Sequence, residues 1–279
     1  MPRFTTTDGL SLHYTDEGTG LPVICLSGLT RNGSDFDYAL PALQGTRIIR
    51  PDYRGRGQSD WAEDFLTYTV PREAQDVLEL MDHLKIDKAA FLGTSRGGLI
   101  SLTLAALARD RMLGVCFVDI GPVIETGGLD VIMGYLGRNP VWKTHDEAAA
   151  VFGDRMIGFD GVPQSRWREE VEKHFVETDT GLSINYDPKL RDAVLATYDP
   201  NATPPDLWPL YATLNGIPLA AIRGANSDLL SADTLATMVQ HTPGLLAVTV
   251  PNRGHVPFLD EKESVTVLTE WIAQMKETP

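Results

Sequence analysis

Cysteine is nearly absent from this chain: there are two in 279 residues, Cys25 and Cys116, each inside an apolar run. Thiols in such settings read as buried and free, not as a disulfide framework, and they suit a reducing compartment. Neither has a histidine partner nearby in sequence, so no metal-site spacing arises. Basic residues are also scarce, with 24 Lys and Arg against 38 Asp and Glu, a formal net charge of −14. That balance disfavours nucleic acid and anionic membrane surfaces, whose phosphates would be repelled. No apolar run is long enough to span a bilayer, and residues 1–14 carry no hydrophobic signal region. The expectation is a cytoplasmic protein whose partner is a small molecule. Internal repeats and low-complexity segments are lacking too. What is present, 43% hydrophobic and 22% charged residues, is ordinary for a packed globular chain.

Short apolar runs alternate with helical patterns. Leu10 to Tyr14 alternates as a strand does, and Pro22 to Leu26 is continuously apolar, as in a strand buried on both faces. A helix is expected near Phe36 to Leu43, a strand over Thr46 to Arg50, and an amphipathic helix from Pro71 to Leu84 with proline near its start. Further strands are expected at Ala89 to Leu92, Val115 to Val118, Pro218 to Arg223 and Ala247 to Val250. Helices are expected near Ser231 to Gln240 and from Glu261 to Lys276. This order implies an α/β protein with a mostly parallel sheet and helices on both faces. From Val123 to Pro205 the alternation stops, and helical pieces appear without a clear buried strand. The expected organisation is a core of residues 1–122 and 206–279 interrupted by a helical cap, 123–205.

Gly93-Thr94-Ser95-Arg96-Gly97 lies between a strand and a long apolar helix. A serine on such a tight turn is lifted clear of its neighbours, and small residues two before and two after permit the strained backbone. This G-x-S-x-G pattern marks Ser95 as a nucleophile. Catalytic groups in open α/β sheets gather at the carboxyl ends of strands. Those ends offer Ser27-Gly28-Leu29, Asp52, Ser95, Asp119, Asp228 and His255. A serine hydroxyl needs a base to take its proton and a carboxylate to hold that base, which His255 and an aspartate would supply. Asp228 is preferred as the acid, because the order Ser…Asp…His and its glycine-led loop fit. Asp119 is the alternative, and Asp52 reads as a loop anchor. The backbone amides of Leu29 and Arg96 are the expected oxyanion donors.

With these motifs, the chain resembles the α/β-hydrolase superfamily in its capped branch, which holds esterases, enol-lactonases, C–C bond hydrolases and cofactor-free haloperoxidases. The resemblance runs through Pro22 to Gly28, Asp52 to Ser59, Gly93 to Gly98, Gly224 to Asp228 and Gly254-His255. It implies an α/β-hydrolase fold with an eight-stranded sheet and a structural role for the D-x-R-G-x-G-x-S loop. It also implies hydrolysis of a small carboxylic ester or lactone through an acyl-enzyme, without a cofactor or metal. Alternatives are a C–C bond hydrolase or haloperoxidase with the same triad, or a ligand receptor with little turnover. Two positions depart from the superfamily: Ser27 where histidine is usual, and Arg96 where an apolar or aromatic residue is common. Arg96, Arg31 and Trp61 are candidate substrate-binding residues. Arg96 would meet a substrate carboxylate or pair with an acidic residue at the cap base. Trp61, Trp142, Phe152, Met156 and Phe159 read either as cap core or as an acyl pocket. Because His255 must be uncharged to act, activity is expected to rise with pH through roughly neutral.

Overall fold

A computed structural model describes residues 2–197 and 205–277. The strands are β1 (Arg3–Thr5), β2 (Ser11–Gly18), β3 (Leu21–Leu26), β4 (Thr46–Pro51), β5 (Ala89–Thr94), β6 (Met112–Val118), β7 (Phe175–Thr178), β8 (Gly181–Ile184), β9 (Leu219–Gly224) and β10 (Leu246–Val250). The α-helices are α1 (Val70–His83), α2 (Arg96–Ala108), α3 (Thr126–Tyr135), α4 (His145–Arg155), α5 (Gln164–His174), α6 (Leu190–Leu195), α7 (Trp208–Ala212), α8 (Ala232–His241) and α9 (Lys262–Glu277). Eight strands form one sheet in the order β1-β2-β4-β3-β5-β6-β9-β10. The β1–β2 and β2–β4 pairs are antiparallel, and every pair from β4 to β10 is parallel.

The central strands are apolar at nearly every position because both faces are covered. Ile24, Leu26, Phe91, Val115, Phe117, Leu219 and Ala221 point to one face, against Val77 and Leu80 of α1, Ile100 and Leu104 of α2, and Met238 of α8. Their alternates Val23, Cys25, Leu92, Cys116, Val118 and Ile222 point to the other, against Phe36, Leu43 and Trp271 of α9. Pleat and sequence therefore agree residue by residue. Cys25 and Cys116 share a face but sit either side of β5, both in register with Leu92. Two strand spacings, about 9–10 Å, exceed what a disulfide bridges, and both thiols are free and buried.

Some elements differ from expectation. The segment around Phe36 to Leu43 is a 3₁₀ helix over Gly33–Leu43, with Pro41 inside it. β1 is an additional edge strand, only three residues long. Between β6 and β9 the chain leaves the main sheet, as its loss of alternation implied. That insertion is not wholly helical, however: β7 and β8 form an antiparallel hairpin within it. Residues 198–204 of the expected cap lie outside the described residues, as do 1, 278 and 279 of the expected core. Phe152 and Trp167 form the insertion's own core, which seats on Phe258 and Tyr38. Trp142, Met156 and Phe159 are partly buried and pack around it. Among the described residues no helix is long and apolar enough to cross a membrane.

The D-x-R-G-x-G-x-S loop is the strip to which the insertion returns. Asp187 N–H donates to Gly55 O at 2.8 Å, Gly57 N–H to Asn185 O at 3.0 Å, and the Tyr68 hydroxyl to Asp187 Oδ2 at 2.6 Å. Asp52 anchors the loop from inside. It accepts from Gly33 N–H and Gln58 N–H, and its Oδ2 lies 2.9 Å from His13 Nδ1.

Candidate active site

β5 ends at Thr94, and α2 begins two residues later, so Ser95 alone makes the turn. Its backbone sits at φ 50°, ψ −114°, a sparsely populated region that costs about 1–3 kcal/mol and persists only where the surroundings impose it. Here they do. Ser95 N–H donates to Val118 O at 3.0 Å, tying the turn to the end of β6. At Gly97 a Cβ atom would lie 2.0 Å from Leu26 O, so only glycine lets α2 start this close to β3. At Gly93 it would meet the Gly97 carbonyl at 2.7 Å.

Three side chains converge at this corner. Ser95 Oγ lies 3.0 Å from His255 Nε2, and His255 Nδ1 lies 2.7 Å from Asp119 Oδ2. Ser95 and His255 are thus brought together as expected. The carboxylate in contact with His255 is that of Asp119, the expected alternative, and not that of the preferred Asp228. Strand register gives the reason. Thr94 pairs with Val118, so the residues one step beyond, Ser95 and Asp119, leave adjacent strands side by side. Asp119 turns inward with φ 54°, uncommon for a residue other than glycine, and its side chain is 0% exposed. Gly224 N–H donates to its Oδ1 at 2.7 Å, and the Ser227 hydroxyl to its Oδ2 at 2.6 Å. Asp228, four residues past the end of β9, is carried to the surface beside Gly128 of α3.

His255 is held by a braced loop. Glu261 accepts from Phe258 N–H, Leu259 N–H and Arg253 Nε, all within 3.0 Å. Asn226 N–H donates to Arg253 O at 2.8 Å, joining this loop to the one bearing Ser227.

The expected oxyanion turn abuts the nucleophile, since a Cβ on Gly28 would stand 4.0 Å from Ser95 Cβ. The Tyr53 hydroxyl donates to Ser27 O at 3.2 Å and Arg56 Nε to Leu29 O at 3.0 Å, fixing the turn from behind. The Leu29 side chain packs against the buried cluster of Ala62, Tyr68, Leu136, Tyr186, Leu190 and Ala193, on which Ile132 and Met133 of α3 also pack. Arg96 is the first residue of α2, where a backbone amide has no partner within the helix. The Ser27 hydroxyl, at the position where histidine is usual, is buried and unpartnered among the described residues.

Both candidate arginine side chains are committed elsewhere. Arg96 donates to Glu73 Oε2 at 2.6 Å and to Tyr68 O at 3.2 Å. Its acidic partner therefore stands on core helix α1 and not at the cap base. Glu73 is fully buried and also lies 2.8 Å from Arg56 Nη1. Burial pushes the Glu73 carboxyl up, but Arg56 and Arg96 together outweigh it and hold the carboxyl below its usual value. Arg31 bridges Asp35 at 2.7 Å and Glu170 of α5 at 3.0 Å, pinning the insertion to the core. Trp61 is 55% exposed. No cluster of ligating side chains able to hold a metal occurs among the described residues.

Sequence reasoning missed Ser227 and Glu73. Ser227 stood next to the favoured Asp228, in a loop already singled out. Glu73 sits on the buried face of α1 among apolar positions, and a charge there signals a buried ion pair.

Fold and site together define an enzyme of the hydrolase class built on a doubly covered parallel sheet. A sequence model of the Alpha/beta hydrolase family matches residues 23–266, and the chain belongs to that family. It is similar to the 3-hydroxybutyrate-oligomer hydrolase of Cupriavidus necator, with 33% identity over 89% of this chain and 87% of that protein. It is also similar to the 2-(acetamidomethylene)succinate hydrolase of Mesorhizobium japonicum, with 28% identity over 88% and 85%. The crystal structure of an alpha/beta hydrolase from Novosphingobium aromaticivorans superimposes with a TM-score of 0.90 at 34% identity, covering 98% of this chain and 97% of the other.

Proposed function

We propose that this chain is a serine hydrolase that cleaves small carboxylic esters through an acyl-enzyme. The observation that carries the reading is the continuous relay from Ser95 Oγ to His255 Nε2 at 3.0 Å and from His255 Nδ1 to Asp119 Oδ2 at 2.7 Å. Ser95 Oγ attacks the ester carbonyl carbon while its proton passes to His255 Nε2. The Leu29 and Arg96 amides hold the oxygen as it becomes negative; losing one such donor typically costs about 10²–10³ in rate. The C–O bond to the alcohol breaks, and His255 returns the proton to the departing oxygen. Water then attacks the acyl-serine, giving its proton to His255, and Ser95 leaves with a proton restored. Asp119 keeps the imidazole in the tautomer with hydrogen on Nδ1. Residues 123–205 serve as a lid over the oxyanion side, through which the substrate is selected. The buried free thiols and the net charge of −14 fit a cytoplasmic enzyme.

The preferred substrate class is short oligoesters of a hydroxy acid. This rests on the 3-hydroxybutyrate-oligomer hydrolase, similar over most of both chains. The test is a panel of 3-hydroxybutyrate dimers and trimers, p-nitrophenyl esters of rising acyl length, small lactones and 2-(acetamidomethylene)succinate. Highest kcat/KM on the oligoesters, abolished in Ser95→Ala, supports the reading. Turnover of the enamide substrate alone would move the chain to amide chemistry, and turnover that survives Ser95→Ala would remove the serine mechanism.

A further inference from the structure

We propose that Ser227 is a positioning residue that orients the Asp119 carboxylate toward His255. This deepens the triad reading above and rests on it.

Ser227 Oγ accepts from Leu229 N–H at 3.2 Å and from Leu230 N–H at 3.1 Å. A hydroxyl has two lone pairs and one proton. With both lone pairs facing amides, its proton is left for Asp119 Oδ2, 2.6 Å away. The direction of that bond is therefore set by the loop and not by the carboxylate.

The carboxylate in turn receives a defined set of donors. Gly224 N–H holds Oδ1, while Ser227 O–H and His255 Nδ1 share Oδ2. An ionised carboxylate is acceptor-only, so His255 must carry its proton on Nδ1 and present the Nε2 lone pair to Ser95. Without Ser227, Asp119 Oδ2 keeps a single partner. A residue at φ 54° then has less to fix the plane of its carboxylate. The loop carrying Ser227 is itself tied to the His255 loop through Asn226 N–H and Arg253 O, so serine and histidine reach the same oxygen from one braced unit.

The experiment compares Ser227→Ala in the wild-type and Asp119→Ala backgrounds, with kcat and KM measured on one ester and folding followed by thermal unfolding. The expected result is a loss in kcat of roughly 10- to 100-fold at unchanged KM, the scale of one hydrogen bond to a charged group. In Asp119→Ala the same substitution should change kcat by less than about twofold, because residues acting as a unit are not additive. Ser227→Thr should restore most of the activity, whereas Ser227→Val should not. Equal losses in both backgrounds, no loss in wild type, or equal activity of the Thr and Val variants would overturn the proposal. Should Ser227→Ala fail to fold, the Thr and Val pair carries the same comparison. Labelling of wild-type Ser95 by a fluorophosphonate separates the two levels. No label defeats the triad reading itself, while a label with a silent Ser227→Ala defeats only the role of Ser227.

Discussion

Replacing Asp119 by asparagine changes one atom and should nearly extinguish catalysis. In the wild type Asp119 accepts three donors, one at Oδ1 and two at Oδ2. An amide has one acceptor oxygen and an NH2 group. If its oxygen faces His255 and Ser227, its NH2 confronts the Gly224 N–H, donor against donor. If its NH2 faces His255, the imidazole must accept on Nδ1 and carry hydrogen on Nε2, which then cannot take the Ser95 proton. The first suffers that clash and leaves no negative charge to stabilise the imidazolium, and the second spoils the base. A tautomer failure of this kind in a serine triad costs about 10⁴ in kcat, or about 5.5 kcal/mol at 1.36 kcal/mol per decade. Asp228→Asn alters an exposed side chain and should leave kcat within about twofold, since surface changes away from such features are usually within about 0.5 kcal/mol. The assay is kcat/KM on a chromogenic ester, with thermal unfolding to confirm that both variants fold. A large loss in Asp228→Asn with activity retained in Asp119→Asn would refute the assignment of the acid.

Three further outcomes follow from the buried charges and thiols. Glu73→Ala should destabilise the fold by about 3–5 kcal/mol, the scale for leaving buried charges unpaired, because Arg56 and Arg96 both lose their carboxylate; an unfolding midpoint in denaturant close to wild type would contradict this. Burial pushes the Cys25 thiol up to about 12 and the Cys116 thiol up as well, so neither should react with a thiol reagent until the protein is unfolded; rapid native labelling would show that the sheet opens. Burial, with Arg31 and Lys173 nearby, holds His174 well below its ordinary value. The unfolded chain thus binds a proton that the folded one refuses. Stability should be full above the unfolded value of about 6.5 and decline as pH falls below it. His174→Phe should flatten that slope, and an unchanged slope would exclude His174 as its source.

The parts of this protein legible in sequence were those set by local pattern. Continuous apolar runs located the parallel strands, and Gly93, Ser95 and Gly97 announced the elbow because steric constraints at that turn admit so few residues. The identity of the acid was not local. Asp119 and Asp228 both follow strands, and the glycine-led loop that favours Asp228 in sequence does not say which one faces His255. The outcome is decided by the pairing of β5 with β6 and by a loop that turns Ser227 inward and Asp228 outward. The role of Arg96 was hidden for a similar reason, since its partner Glu73 lies 23 residues earlier on a different helix. The β7–β8 hairpin escaped notice because each strand is four residues long and β7 is largely exposed, leaving little apolar alternation to read.

The central claim is that Ser95 is a nucleophile activated by His255 and Asp119. Intact-mass and peptide-mapping spectrometry after exposure to a fluorophosphonate tests it most directly. The account predicts one adduct, on Ser95, absent in Ser95→Ala and formed far more slowly in His255→Ala and Asp119→Asn. An adduct on another residue, or one formed at the same rate without His255, would contradict it.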